Sequence, residues 1–245
     1  SLKPAPTANH LTTLTAMPMS TTDTQLLLRL LQLVSPTLPV GAYSYSEGLE
    51  TLVQQGHIMD PEAVIYWLEQ ELQWGMIRLD GVAVKAVYAA VAQADQEAFL
   101  QVNHQLSALR DTEEGRQQSW GMGRALNRMA VQIEPELTPW VTAMDAPCNF
   151  ATSFGLVAAH WQIAQQAAVL GFLQSWATNL IAAAIKLIPL GQTVGQKILL
   201  DLTPALETTT AQCLETPLED AALSNWGTSL AGMQHETLYS RLFRS

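Results

Sequence analysis

The sequence predicts an all-α fold: a single-domain helical bundle of roughly ten helices, with a flexible N-terminal extension. Three observations predict it. Apolar residues recur at helical spacing along most of the chain, between Ser, Thr or Asp starts and Pro or Gly stops. No stretch sustains the alternation of a half-buried strand. No repeat period and no interior linker divides residues 23–245. Residues 1–22 are rich in Thr, Pro and Ala without periodicity, and are expected to form a disordered extension. Residues 23–245 are expected to form the one domain.

The first helix is expected to be capped by Thr22 or Asp23 and to run through Leu26, Leu27, Leu28, Leu30, Leu31 and Leu33. It is apolar on nearly every face, which predicts a central position. Pro36 and Pro39 end it in an ordered loop. Ser44 or Ser46 is expected to start a second helix that stops at Gly56. Asp60-Pro61 reads as a cap followed by proline in the first turn, opening a helix whose apolar face includes Leu68, Leu72 and Met76. Helices over 79–92 and 95–109 follow. Residues 113–131 form another, weakened by Gly115, Gly121 and Gly123. Pro135, Pro139 and Pro147 punctuate an irregular stretch. Two Ala-rich helices are expected over 151–168 and 170–188, then one over 194–200. Residues 217–232 read as loop with helical pieces.

Of the 245 residues, 48% are apolar and 14% charged, with net charge −10. The charged fraction is well below the roughly 25% of an average soluble domain, which fits a subunit whose surface is partly covered by partners. An acidic chain lacks the basic face that phosphate contacts need, so nucleic-acid binding is not expected. The two cysteines form no CxxC or Cys/His cluster, against a zinc module or a disulfide framework. The first twenty residues lack the pattern of a signal peptide, and residues 169–190, interrupted by Gln174, Asn179 and Lys186, read as a buried helix rather than a membrane span. A cytoplasmic protein is expected.

Catalytic constellations are not found. His10, His57, His104, His160 and His235 make no HxxxH, HExxH or HxH pair, so no metal ligand set and no cofactor is expected. Gly191-Gln-Thr-Val-Gly195-Gln-Lys197 lacks the spacing, the Lys after the second glycine and the hydroxyl of a phosphate loop. Gly121-Met-Gly123 lacks the third glycine and preceding strand of a dinucleotide fingerprint. Glu113, Glu114, Arg116, Arg124 and Arg128, at spacings near four, are expected on a solvated or interface-facing helix surface. The chain is not expected to be an enzyme.

Two segments stand out. Ser35-Pro-Thr-Leu-Pro-Val-Gly-Ala-Tyr-Ser-Tyr-Ser-Glu-Gly-Leu-Glu50 fixes the backbone with two prolines and then places Tyr43 and Tyr45 on one loop. The last eleven residues, His235-Glu-Thr-Leu-Tyr-Ser-Arg-Leu-Phe-Arg-Ser245, hold Tyr239, Leu242 and Phe243, and two of the chain's eight arginines, Arg241 and Arg244. Tyr and Arg anchor interfaces because they join contact area to a polar tip. The tail is expected to dock near Tyr43 and Tyr45, with arginine stacked on tyrosine.

These two segments, together with GQTVGQK, resemble the UreF urease accessory protein family. The resemblance covers 23–245 in order. The family often has Gly-Phe where Ala42-Tyr43 stands here. It implies an all-α accessory protein without enzyme activity, a nickel-insertion chaperone. It implies partnership with a UreD (UreH)-like protein and a UreG-like GTPase, with nickel delivered to apo-urease by the complex and not stably bound by this chain. It also implies a homodimer. Carried over by match, Gly41, Tyr43, Ser44, Tyr45, Ser46, Glu47 and Gly48 become partner-binding candidates. So do Gly191, Gln192, Gly195 and Lys197, and the tail Tyr239, Ser240, Arg241, Leu242, Phe243, Arg244 and Ser245. A direct GTPase-regulating role is the alternative, and an unassigned helical enzyme a weaker one.

Overall fold

A computed structural model describes residues 20–222, 224 and 226–244, in which every regular element is helical. The extension expected over 1–22 lies outside the described residues as far as residue 19, and Ser245 lies outside them too. Helix α1 spans Thr21–Leu33 and is capped by Ser20, whose Oγ accepts from Asp23 N at 3.1 Å. The cap therefore falls ahead of Thr22 and Asp23, and the helix takes in residues assigned to the extension. Nor is α1 central. Leu27, Leu28 and Leu31 are exposed and only Leu33 is buried. It lies on the outside of the bundle, so its surplus leucines face solvent.

The expected helix start at Ser44 or Ser46 is replaced by a short 3-10 turn, Ala42–Ser44, and by α2, Leu49–Gln54. Asp60 caps α3, Pro61–Trp74, by accepting from Ala63 N at 2.8 Å. Gly75 ends α3, so Met76 opens α4, Met76–Ala92, rather than extending α3. Asp95 caps α5, Gln96–Leu109, and Thr112 caps α6, Glu113–Ile133. Then come α7, Thr138–Thr142, α8, Phe150–His160, and α9, Gln165–Leu187. The two Ala-rich helices thus divide earlier than expected, at Gln162, which takes a left-handed φ of 57°. The remaining helices are α10, Gln192–Asp201, α11, Thr203–Glu215, and α12, Trp226–His235.

The core forms where α4, α6, α8 and α9 meet. Every residue of α8 from Ala151 to Ala158 is buried, as are Phe172, Leu173, Trp176, Leu180 and Ile181 of α9. Each such large side chain contributes roughly 1.5–3 kcal/mol relative to exposure. Phe154 and Phe172 meet edge-on at 5.1 Å between centroids. Among the described residues α9 alone is long and apolar enough to cross a membrane, but its apolar face fills this core. Gly123 lets α6 approach the start of α8: a Cβ there would lie 2.1 Å from Cys148 O. Cys148 and Cys213 are buried free thiols, which burial pushes above the usual thiol range, Cys213 to about 12.

Candidate functional site

The loop between α1 and α2 reverses twice through left-handed backbone. Gly41 has φ 79°, and after the 3-10 turn Glu47 (φ 52°) and Gly48 (φ 84°) redirect the chain into α2. Glycine adopts this region without strain, whereas glutamate pays a conformational cost. Glu47 is held by side-chain bonds: Trp176 Nε1 donates to one carboxyl oxygen at 2.8 Å and Gln118 Nε2 to the other at 2.7 Å. Space at Gly48 is tight as well, since a Cβ there would lie 3.1 Å from Gly232 N in α12. Ser46 is buried, Tyr45 is half-buried, and Tyr43 projects outward at 69% exposure.

The tail lies against this loop. Glu50, the second residue of α2, is buried and accepts from two consecutive backbone amides, Leu242 N at 2.7 Å and Phe243 N at 3.0 Å. Arg244 N donates to Ser44 O at 2.8 Å, on the residue between the two tyrosines. His235, fully buried, has Nε2 3.2 Å from Glu50 and Nδ1 2.7 Å from Glu114. The other oxygen of Glu114 accepts from Arg241 Nη1 at 2.5 Å. Phe243 is buried, with Lys186 Nζ 5.5 Å from its ring centroid. The cation over an aromatic ring is thus Lys186 on Phe243, in place of a tail arginine on a loop tyrosine; Arg241 is committed to Glu114. Beside exposed Ser240, Arg241 and Arg244, the latch turns two large side chains outward: Tyr239 is fully exposed and Leu242 is 64% exposed.

Behind the loop lies a cavity of about 530 Å³ lined by apolar residues such as Leu33, Met122 and Phe172, and by Glu47, Glu71 and Asp80. Burial pushes all three carboxyls up. Glu71 rises to about 8 despite a hydrogen bond from Thr228 Oγ1 of α12. Arg110, which donates to Asp80 at 2.6 Å, opposes the shift at Asp80. No Ser/His/Asp or Cys/His nucleophile arrangement appears among the residues lining the cavity.

The structure therefore brings the Gly41–Gly48 loop and the tail together. Gly191, Gln192 and Lys197 are exposed: Gly191 caps α10, and Lys197 lies 3.5 Å from Asp201 in an exposed pair. Among the described residues no hydrogen bond or ion pair joins that turn to the tail. Gly195 is buried and faces Ile181 and Ile185 of α9, a packing position. Sequence reading missed Glu50, Glu114 and His235 as the parts of the latch. Glu114 was expected on a solvated or interface-facing helix surface, and its partners come from the far end of the same chain. The one available signal was chemical: a tail ending in apolar and cationic groups needs carboxylates and an apolar seat.

The UreF family model matches residues 58–203. A protein of a Nostoc species named "Urease accessory protein UreF" is 50% identical over 218 residues, covering 89% of this chain and 95% of its own length. One of the same name from Microcystis aeruginosa is 49% identical, covering 91% of this chain and 99% of its own length. A third, from a Synechocystis species, is 43% identical over 89% of this chain and 97% of its own length. Each relative is named for an accessory role rather than for a catalysed reaction. With those matches over most of its length, the chain belongs to the UreF family of urease accessory proteins.

Proposed function

We propose that this chain is a non-enzymatic cytoplasmic scaffold in nickel insertion into urease. As a homodimer it binds a UreD/UreH-like protein and a UreG-like GTPase, and the complex passes nickel to apo-urease. One observation carries the reading. The tail is held by its backbone and by Phe243, while Tyr239 and Leu242 face solvent. Exposed side chains on a fixed backbone are prepaid for binding, because the ordering cost has already been met in the fold. Tyr43, on the loop to which the tail is bonded, is also exposed. The names given to the relatives support the coarser part of this reading, an accessory role for urease.

The test is light scattering on mixtures of this chain with its cognate UreD- and UreG-like proteins. The unaltered chain should give a complex built on a homodimer. The double variant Tyr239→Ala/Leu242→Ala should keep its thermal midpoint, since neither side chain is buried, and should lose the complex. A variant that assembles as well as the unaltered chain would overturn the tail as anchor. Faster GTP hydrolysis by the UreG-like protein without any UreD-like protein would instead support direct GTPase regulation.

A further inference from the structure

We propose that Glu134, Glu136 and His160 form a binding site for a first-row divalent transition ion of the Zn2+ class, where the C-terminal ends of α6 and α8 meet. The inference stands apart from the assembly role and does not rest on it.

Local structure brings the two carboxylates together. Helix α6 ends at Ile133, Glu134 leaves helical geometry with φ −128° and ψ 83°, and Pro135 opens a 3-10 turn over Pro135–Leu137. A proline cannot continue α6, because it lacks the N–H and restricts the residue before it. The tight turn that results sets Glu134 and Glu136 side by side. His160 is the last residue of α8, which packs along α6. One ligand atom from each of the three residues lies within 4.8 Å of the others.

The spacing of His160 and Glu134 is longer than a good hydrogen bond and matches two ligands of one ion. His160 Nε2 and Glu134 Oε2 are 3.5 Å apart. A good N–H···O hydrogen bond is about 2.7–3.2 Å. Bonds of 2.0–2.2 Å to a tetrahedral zinc place neighbouring ligand atoms about 3.3–3.6 Å apart. Glu134 is also oriented in advance. Its other oxygen accepts from Trp161 Nε1 at 3.0 Å, and Trp161 is itself buried, with Arg29 Nη1 donating to its carbonyl at 3.0 Å. A ligating carboxylate held by an outer hydrogen bond in this way is the usual arrangement of a built metal site. Among the described residues no lysine or arginine ion pair balances these two carboxylates.

The donor set selects the ion. One imidazole with two carboxylates suits Zn2+, Co2+, Ni2+ or Mn2+, whereas Mg2+ and Ca2+ take oxygen ligands alone. Three protein ligands leave a fourth position to water. Glu136 is exposed and the other two side chains are close to 30% exposed, so an ion has a path from solvent. Histidine spacing in the sequence suggested no ligand set because the three residues meet only when α6 and α8 pack.

The experiment is calorimetric titration of the full chain with ZnCl2 in a non-chelating buffer. His160→Ala and Glu136→Ala are titrated beside it, with far-UV circular dichroism as the check on folding. The unaltered chain should bind Zn2+, each variant should bind at least tenfold more weakly, and excess Mg2+ should not displace the ion. Cobalt in place of zinc should give visible d–d absorption that Glu136→Ala, an exposed position that leaves the fold intact, removes. No zinc binding, an affinity in either variant unchanged from that of the unaltered chain, or displacement by Mg2+ would each overturn the proposal.

Discussion

Glu50 carries more of the latch than any other side chain. It accepts from two adjacent tail amides and also lies against His235. Removing it leaves two backbone donors without their partner, at about 1–3 kcal/mol for each that stays buried. Glu50→Ala should therefore free the tail, and trypsin should cut after Arg241 at least tenfold faster than in the unaltered chain. Equal cleavage rates would show that Phe243 and Arg241 hold the tail without Glu50. Glu71 poses the opposite problem, a carboxyl with too little solvation. Its folded value is raised to about 8, above the ordinary 4.5 of the unfolded chain. The folded state then holds its proton where the unfolded state has lost it. Stability falls as pH rises from about 4.5 to about 8 and levels off above that. Glu71→Gln keeps a hydrogen-bonding oxygen for Thr228 and removes the charge. It should gain on the order of 2–4 kcal/mol over the unaltered chain at pH 8 and little at pH 4, read by urea denaturation at each pH. A gain equal at both pH values would count against burial as the cause.

At the scale of elements, the glycines of α6 read as weak points in the sequence and act as contact points in the fold. Residues 113–133 stay helical throughout because one face of α6 packs against α8. Gly123 sits where the Cys148 carbonyl crosses the helix, and that oxygen is backbone, which cannot swing aside. Gly123→Ala gains helix propensity of about 1 kcal/mol. The overlap costs more, so the variant should lose about 3 kcal/mol or more in denaturant titration. A more stable variant would mean that α6 and α8 separate at little cost. Helix α1 teaches the converse. Its leucine density predicted a central helix, but periodicity measures what a helix is able to bury, not whether a neighbour exists on each side. Leu27, Leu28 and Leu31 stay outside because only one face of α1 meets α8 and α9.

Over the whole molecule, the chain's last residues close onto its first ordered loop, with α12 and α2 in contact beneath them. The tail was expected to dock near Tyr43 and Tyr45 with an arginine stacked on tyrosine. Here it is seated by Glu50, Glu114 and Ser44 instead, so the proposed binding at Tyr239 and Leu242 would add contacts to a fixed platform. The Tyr239→Ala/Leu242→Ala variant tests that surface without disturbing the seat, because both side chains lie outside it.

The sequence by itself determined the all-α class, the start of α3 at Asp60-Pro61, the start of α5 at Asp95, and the two segments that mark the family. These depend on local signals: side-chain caps, proline geometry and apolar period act over a few residues and need no distant partner. Only the tertiary structure decided that Glu114 serves the tail and not solvent, that α1 is peripheral, and that His160 meets Glu134 and Glu136. The physical reason is the same in each case. A charge or an apolar face has no fixed role until packing sets its neighbours, its solvation and its distance to the next polar atom.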